Sequence, residues 1–536
     1  MTELVLTQLQ MSLNADLRAF MPELILCATI VFMLLLRLLP RMDRSHMGII
    51  ALALSALALA WSVGQWANIS PYDPRVGDTT SVKFPNFDLF SGLLVFDNFA
   101  IFLKMFLLIF LIAVIALAML TGIPDREDSA DFFVLLLGST LGMMLMTSAQ
   151  HLLMVFLAVE MASLPSYALA GFLKGRRQSS EAALKYVVYG GGASGVMLYG
   201  ISLLAGKYGT GYLPDVLAQV ALSLSGEADL LVVMGLFFIM VGVAFKLSAV
   251  PFHFWCPDVF EGAAAEVGGF LSVASKAAAL ALLARFVMPL AGVPQFVVPV
   301  LAFFAALTTT FGNLAAYSQT NLKRLLAYST ISHAGFMMMG LAALSNVGAD
   351  SVLFYLGTYF LMNLGAFAVV AFLRNATGAE DLREFRGLIH RSPILVCALG
   401  VFLLSLLGLP PLAGFAAKFQ IFMALFDGLR LNASGANSAV VQSSLYALIL
   451  VGGLNTVLAL FYYVKVLKIM VLEKSVEEVE GKAPKPLIVP AGQTVYAIVL
   501  AALVLFVGVF WNQFATRSRK GAADFPTIAI VRGANK

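Results

Sequence analysis

The chain has 536 residues, of which 60% are hydrophobic and 12% are charged, and its mean hydropathy is +0.91. Soluble domains carry about a quarter of their residues as charges, so this composition excludes a water-soluble globular protein. The net charge of +4, without a basic cluster interleaved with aromatic residues, excludes a nucleic-acid partner. Long apolar runs without period-two alternation favour membrane-spanning helices over a barrel, because lipid offers no partner to unpaired backbone groups.

The sequence carries no pattern typical of a redox cofactor. Cys27, Cys256 and Cys397 are isolated and lack the paired spacings that hold zinc, iron–sulfur clusters or disulfides. No glycine-rich dinucleotide motif follows a strand pattern, and no P-loop is present. We therefore expect neither a cofactor nor a metal in this chain.

Apolar runs bounded by charges, glycine or proline predict an all-α polytopic membrane protein of about fourteen transmembrane helices. Two helices are predicted to be discontinuous, because Pro251 follows the seventh and Pro410 and Pro411 interrupt the twelfth. The predicted spans are residues 22–37, 47–64, 94–121, 131–148, 151–173, 181–205, 229–250, 263–284, 294–317, 322–343, 351–373, 393–426, 441–464 and 489–511.

Helices 4–8 and 9–13 are predicted to form two inverted five-helix repeats. Each group has its break in the fourth helix and a polar residue in the second, Glu160 in one and His333 in the other. Interrupted helices at corresponding places in two halves are typical of repeat-built transporters. The predicted divisions are 1–121 with three N-terminal helices, 122–290 and 291–470 with the repeats, and 471–536 with a loop, the last helix and a tail.

The distribution of basic residues predicts the orientation. Loops that follow odd-numbered helices carry 18 Lys and Arg, whereas the opposite side carries 6, plus 5 in the C-terminal tail. Basic loops stay in the cytoplasm, so both termini are predicted to be periplasmic.

Five lysines, and no arginine, remain inside the predicted spans: Lys104, Lys185, Lys246, Lys276 and Lys418. An intramembrane cation costs about 3 kcal/mol even on the lenient insertion scale, and such residues by default mark an ion path. Lysine loses its proton when it is desolvated, whereas arginine stays charged. A set made only of lysines therefore suits groups that must titrate.

Glu160 lies near the middle of the fifth span and is the acid that we place deepest in the membrane. Its cationic partner is predicted to be Lys185 or Lys246, since a nearby opposite charge keeps both groups ionised. The alternative is a static ion pair that fixes helix packing. One static pair would leave Lys276 and Lys418 unexplained.

Two further residues permit either a functional or a structural interpretation. His333 has an ordinary pKa that suits a proton relay between Lys276 and Lys418, but a lone helix histidine is as often a packing residue. Lys104 follows Asp97 by seven residues, two turns along one helix face, so a structural pair is at least as expected as a functional role.

Several motifs together resemble a known family. FLAVEMASLPSYALAGF, PFHFWCPDVFEG, VASKAA and LPPLAGFAAKF, spread over about residues 94–470, are similar to subunit N, or subunit 2, of respiratory complex I, the NADH:quinone oxidoreductase. Three helices before the repeats resemble the bacterial rather than the truncated animal forms. The resemblance implies that the following residues are the proton-path residues: Glu160, Lys185, Lys246, Lys276 and Lys418.

The resemblance also implies where the remaining chemistry lies. NADH, FMN, the iron–sulfur clusters and the quinone are expected in partner subunits, and the membrane partners are expected to be M-, K-, J-, A- and L-like chains together with lipid. The expected function is proton translocation, as a subunit of a translocase enzyme in a bacterial inner membrane, coupled to quinone reduction elsewhere. One alternative is a stand-alone or Mrp-type cation/proton antiporter, and another is a purely structural membrane subunit.

Overall fold

A computed structural model describes residues 13–38, 44–68, 87–123, 128–226, 229–433, 438–474 and 486–523. Within these ranges the chain is almost entirely helical, apart from a hairpin of β1 (Phe87–Leu89) and β2 (Leu94–Phe96). Some residues of the orientation count lie outside the described residues: Arg41, Arg75, Lys83, Arg126, Lys482, Lys485, Arg532 and Lys536.

The described residues form nineteen α-helices. The N-terminal part contains α1 (Leu13–Ala19), α2 (Met21–Leu36), α3 (Arg44–Asn68) and α4 (Asn98–Thr121). The middle contains α5 (Ser129–Ser148), α6 (Leu152–Ala170), α7 (Arg177–Tyr208), α8 (Leu213–Ser225), α9 (Leu230–Leu247), α10 (Trp255–Gly262) and α11 (Ala265–Val287). The remainder contains α12 (Pro294–Tyr317), α13 (Leu322–Ala342), α14 (Asn346–Thr377), α15 (Pro393–Leu407), α16 (Ala413–Leu431), α17 (Ser438–Leu472), α18 (Ala491–Val509) and α19 (Trp511–Ala522).

The described helices account for the predicted spans. Twelve are long and apolar enough to cross a bilayer, and α1 with α2, bent by 72°, make a thirteenth. The predicted twelfth span corresponds to α15 and α16. α15 has only 15 residues, and the 19-residue α16 carries Lys418, Asp427 and Arg430, so neither half alone is a long apolar helix of the spanning type. The prediction of an all-α polytopic membrane protein is confirmed.

Both predicted discontinuities are present. α9 ends at Leu247, and the chain is irregular until α10 begins at Trp255. α15 ends at Leu407, where Gly408 takes a left-handed φ of 93°, a conformation that glycine adopts without steric cost. The first break leaves irregular backbone that is buried at residues 248–250, whereas residues 409–411 of the second break are exposed in the isolated chain.

The two groups of helices pack in the same order. α5 lies along α6, and α7 packs against the broken pair α9 and α10, while α11 contacts α5 and α9. In the second group α12 lies along α13, α14 packs against the broken pair α15 and α16, and α17 contacts α12 and α15. Each group has five spans, so successive groups enter the membrane from opposite sides. The repeats are therefore inverted, whereas the exact division points at 122, 291 and 471 stay predictions.

Contacts between loops define the two ends of the bundle. At one end, Asn321 bridges to Asp381 and Arg176 lies 3.9 Å from Glu380, so we call it the Glu380 face. At the other end, His151 bridges to Tyr212, and we call it the Tyr212 face.

Both ends of the described chain lie on the Tyr212 face. Ring centroids of Phe20, next to α1, and Phe90, in the hairpin, are 5.3 Å apart. The Tyr212 hydroxyl donates a 2.6 Å hydrogen bond to Asp88 of the same hairpin. In α19, the Lys520 Nζ donates a 2.9 Å hydrogen bond to the backbone oxygen of Trp66, at the end of α3.

Two buried ion pairs fix the N-terminal helices. The Lys104 Nζ lies 2.6 Å from a Glu23 carboxylate oxygen, and both side chains are almost inaccessible to solvent. Asp97 caps α4 through the backbone N–H of Ala100 and binds the Arg285 guanidinium of α11 at 2.9 and 3.0 Å. The predicted pairing of Lys104 with Asp97 is therefore wrong, because the capping position turns the Asp97 carboxylate away from the helix face of Lys104.

Close packing of α5 on α6 depends on Gly142. A Cβ there would lie 2.3 Å from the backbone nitrogen of Ala162, and one on Gly312 of the second repeat would lie 2.7 Å from that of Ser332. We expect Gly142→Ala and Gly312→Ala each to lower stability by about 1–3 kcal/mol through overpacking. The midpoint of thermal unfolding in detergent measures this effect.

The matched control is Gly357→Ala in α14, where a Cβ meets no atom within 4 Å. It should be neutral or stabilising, by about 0.5–1 kcal/mol, because alanine is the better helix former. Equal midpoints for Gly142→Ala and Gly357→Ala would contradict the close approach of α5 and α6.

The pair of Lys104 and Glu23 predicts a second stability effect. Lys104→Met should destabilise the protein by about 3–5 kcal/mol, because it leaves a buried carboxylate without a counter-charge. The double variant Glu23→Gln with Lys104→Met should recover most of that loss, as measured by the yield and thermal midpoint of purified protein. A Lys104→Met protein of normal stability would exclude this structural role.

Candidate functional site

Four titratable side chains lie buried in the centre of the bundle. Lys246 is 2% exposed, Lys276 0%, His333 2% and Lys418 5%. They come from α9, α11, α13 and α16, so both broken helices and the two helices between them contribute. Buried ionisable groups inside a membrane protein are expensive, and this clustering indicates a shared function.

Lys246 lies in an aromatic environment at the first break. Its Nζ lies 5.8 Å from the ring centroids of both Tyr167 and Tyr186, within the range of cation–π attraction. Tyr186 in turn stacks on Trp255 at a centroid distance of 4.2 Å. Lys246 also lies within electrostatic range of Glu160 and Lys276. The site can hold an ammonium group without a direct ion pair.

Ser248 connects the first break to Lys276. The Lys276 Nζ donates a 2.9 Å hydrogen bond to the Ser248 hydroxyl, and it lies 4.9 Å from the Trp255 ring. Ser248 has a φ of 58°, in the left-handed region that non-glycine residues rarely adopt. This left-handed conformation is strained for serine, and it positions the Ser248 hydroxyl two residues after Lys246.

His333 is held between two tyrosine hydroxyls. Its Nδ1 lies 2.7 Å from the Tyr355 hydroxyl and its Nε2 lies 3.1 Å from the Tyr463 hydroxyl. A hydroxyl can donate or accept, so either neutral tautomer of the imidazole is satisfied. The ring of Tyr359 lies 5.2 Å from that of His333, and its hydroxyl donates to Thr330 at 3.0 Å. The imidazole can thus accept a proton on one nitrogen and release one from the other.

Lys418 binds the end of the other broken helix. Its Nζ donates a 2.9 Å hydrogen bond to the backbone oxygen of Leu407, the last residue of α15. The carbonyl end of a helix attracts a cation. The Nζ also lies 4.7 Å from the ring of Phe336, which follows His333 by one turn of α13.

Lys185 lies apart from this central group. Its Nζ lies 2.7 Å from Asp258 and 2.8 Å from Glu181, and its side chain is 38% exposed. Asp258 also binds Arg324, at 2.7 Å. The predicted option that Lys185 pairs with Glu160 is therefore wrong, because α10 brings Asp258 beside α7 near the Glu380 face.

Glu160 is only partly buried. Its carboxylate accepts a hydrogen bond from the Ser194 hydroxyl of α7 and, among the described residues, makes no ion pair with a lysine within 4 Å. Leu157 and Leu164, on the same helix, are 50% and 62% exposed. The carboxylate therefore lies near a side of the bundle that is apolar and uncovered in the isolated chain.

Sequence reasoning missed other buried charges. Glu23, Glu266, Lys323 and Arg285 are all less than 10% exposed. Lys323 and Arg285 lie beside loops in the sequence, so the orientation count places both of them in loops. Glu266 could have been found, because AAAEVGG places an acid inside an apolar run. Within the described ranges no group of His, Cys, Asp and Glu side chains has the arrangement of a metal site.

Comparison with known proteins places the chain in a family. A family model described as "NADH:quinone oxidoreductase/Mrp antiporter, TM" matches residues 149–444. NADH-quinone oxidoreductase subunit N of Anaeromyxobacter sp. (strain Fw109-5) is 40% identical over 516 residues, which cover 92% of this chain and 94% of the relative. The subunit N of Rhodospirillum rubrum is 38% identical over 448 residues, 83% of this chain and 86% of the relative.

Solved structures share the architecture. A chain of respiratory complex I from Thermus thermophilus with bound aureothin superposes with a TM-score of 0.70 at 29% identity, over 92% of this chain and 98% of that one. A chain of the Mrp complex from Dietzia sp. DQ12-45-1b has a TM-score of 0.77 at 19% identity, over 95% and 97%, which shows the fold alone. The chain therefore belongs to the NADH:quinone oxidoreductase/Mrp antiporter family of membrane proteins, in the group of NADH-quinone oxidoreductase subunit N.

Proposed function

We propose that this chain is a proton-translocating membrane subunit of NADH:quinone oxidoreductase. The residues proposed to carry or control the protons are Glu160, Lys185, Lys246, Lys276, His333 and Lys418. The proposal rests on four buried titratable groups, two on the broken helices and two on the helices between them. NADH oxidation, FMN, iron–sulfur clusters and quinone reduction are proposed to reside in partner subunits.

The first step joins two lysines. Ser248 accepts a hydrogen bond from Lys276, and it stands two residues from Lys246, whose ammonium group would repel that of Lys276. Two like charges in a low dielectric favour one shared proton over two. A proton that arrives on Lys246 therefore promotes release from Lys276.

The second step carries the proton across the boundary between the repeats. His333 accepts it on one ring nitrogen and releases the other proton, while Tyr355 and Tyr463 hold the ring in place. Among the described residues His333 makes no direct hydrogen bond to Lys418, so water is proposed to complete the transfer. The Leu407 carbonyl then stabilises the Lys418 ammonium group.

Coupling is proposed to act through α7. This helix holds Glu160 through Ser194, and it holds α10 through the ion pair of Lys185 with Asp258. A displacement of α7 would change both contacts together and alter the counter-charge that Lys246 senses. Moving one charge costs about 2.3 kcal/mol per 100 mV, which a change in a low-dielectric charge pair can match.

The proposed setting is a bacterial inner membrane, with both termini in the periplasm. The excess of basic residues in the loops of the Glu380 face supports a cytoplasmic position for that face. The proposed partners are the M-, K-, J-, A- and L-like membrane subunits. The apolar surface of α6 and α7 beside Glu160 suits contact with such a partner, which would exclude lipid from the carboxylate.

The central test removes Glu160 and Lys246 separately. Glu160→Ala and Lys246→Ala, each assembled in the reconstituted complex, should lower proton pumping and coupled quinone reduction by about tenfold or more, because a positioned proton-transfer group typically contributes about 10²–10⁴-fold. Exposed Lys474→Ala, two residues after the end of α17, is the control and should pump normally. Undiminished pumping in both test variants would refute the proposed role.

An Mrp-type cation/proton antiporter is the second candidate function. The family model includes both groups, and the Mrp chain shares the fold. We expect proteoliposomes that contain the chain alone to show no sodium-dependent proton exchange, as followed with a pH-sensitive dye inside the vesicles. Exchange that Lys246→Ala abolishes would favour the antiporter. Pumping that survives combined substitution of the lysines would instead favour a purely structural subunit.

A further inference from the structure

Glu266 is a buried carboxylate that the proton path described above does not use. It lies in the first turn of α11 and is 1% exposed. Both of its carboxylate oxygens are buried and have no hydrogen-bond donor among the described residues. Burying a charged group without hydrogen-bond partners costs free energy, so we expect a carboxylate at this position to have a functional role.

A line of charges leads from the Glu380 face to this residue. The side chain of Glu380 is 20% exposed, and its Oε2 lies 3.0 Å from the Nζ of Lys323. Lys323 is itself buried, donates to the backbone oxygen of Ala263 at 3.0 Å, and interacts electrostatically with Glu266. The two direct polar contacts of Lys323 are thus with Ala263 and Glu380. Neither oxygen of Glu266 accepts a hydrogen bond from Lys323.

Polar groups continue from Glu266 toward the central lysines. Glu266 and Lys276 are ten residues apart on α11, about 15 Å along its axis, with Gly269 and Val273 at the intervening positions of the same heptad stripe. Beside this stripe, the Asn363 amide of α14 donates a 2.5 Å hydrogen bond to the Ser272 hydroxyl. The Asn363 carbonyl oxygen is a second buried acceptor without a donor among the described residues.

We propose that Glu266 is a proton-loading group that takes protons from the Glu380 face and passes them to Lys276. This proposal rests on the proposed proton-translocating function. The Glu266 carboxylate binds a proton from a hydronium ion and releases water, and the carboxylic acid then gives that proton, through water beside Ser272 and Asn363, to the neutral amine of Lys276. The carboxylate is restored, and no redox partner is needed.

Charged groups of both signs surround Glu266. It lies at the positive, N-terminal end of α11 and interacts electrostatically with the Lys323 ammonium group. The other charged groups on the elements near this end are Arg176, Lys185, Asp258, Glu261, Arg324, Arg374 and Glu380.

The test replaces Glu266 in the complete, reconstituted complex. Glu266→Gln should lower proton pumping by about tenfold at about pH 8.5, where protons are scarce, and by less than about twofold at about pH 6.5, because a proton-loading group matters most when uptake limits the rate. Glu266→Asp should restore most of the alkaline activity. Glu473→Gln is the matched control: Glu473 lies 3.0 Å from Arg386 and is one-third exposed.

A second readout does not depend on turnover. Infrared difference spectra of the complex between acidic and alkaline pH should contain the carbonyl band of a protonated carboxyl group, and Glu266→Gln should remove it. If Glu266→Gln fails to assemble, Asn363→Leu, which leaves the carboxylate in place, should give the same alkaline loss of pumping. A purely structural role would lower assembly without changing the pH profile of the complex that does assemble.

The outcomes separate this inference from the proposed function. A pH profile and an infrared spectrum of Glu266→Gln equal to those of Glu473→Gln would overturn the role of Glu266, even if Lys246→Ala abolishes pumping. Normal pumping by Glu160→Ala and Lys246→Ala would instead overturn the proposed function itself.

Discussion

The need to pair backbone groups inside lipid governs the whole structure. A continuous helix meets this need by itself, but a broken helix exposes carbonyl and N–H groups that must find other partners. At the first break the Phe245 carbonyl accepts from the Trp255 indole, and the Val250 N–H donates to Thr308. At the second break the Leu407 carbonyl accepts from Lys418, and the Gly414 N–H donates to Ser405. Polar side chains therefore lie inside an apolar bundle, because the backbone groups freed at the breaks need hydrogen-bond partners.

The two breaks use their lysines differently. Lys246 is in the last turn of α9, before the break, and contacts aromatic rings, whereas Lys418 is in the second turn of α16, after the break, and binds a helix carbonyl end. The inverted repeats therefore create one buried polar zone with two distinct environments for an ammonium group. Ser248 and His333 lie between them, and a hydroxyl and an imidazole are groups that can both donate and accept hydrogen bonds.

Other buried charges in this chain have a different role. Lys104 with Glu23 and Asp97 with Arg285 are direct ion pairs at 2.6 and 2.9 Å, and each joins helices that are distant in sequence. A closely paired charge is held in one protonation state, which suits packing. Within the ranges that the structure describes, Lys246, Lys276 and Lys418 have no carboxylate within 4 Å and contact rings, a hydroxyl and a carbonyl instead. The proposed distinction between charges that fix helix packing and charges that carry protons thus rests on what each group contacts, and not on burial alone.

The sequence by itself determined the membrane-spanning helices, the two breaks and four of the buried lysines (Lys104, Lys246, Lys276 and Lys418), because hydropathy, proline and the cost of charge in lipid are local properties of the chain. It could not determine which charges meet. Lys185 binds Asp258, 73 residues away, and Lys104 binds Glu23 rather than Asp97, because helix packing and capping geometry decide those contacts. Lys323 stands near a predicted helix end, so only the tertiary structure, which covers that end with neighbouring helices, showed that it is buried.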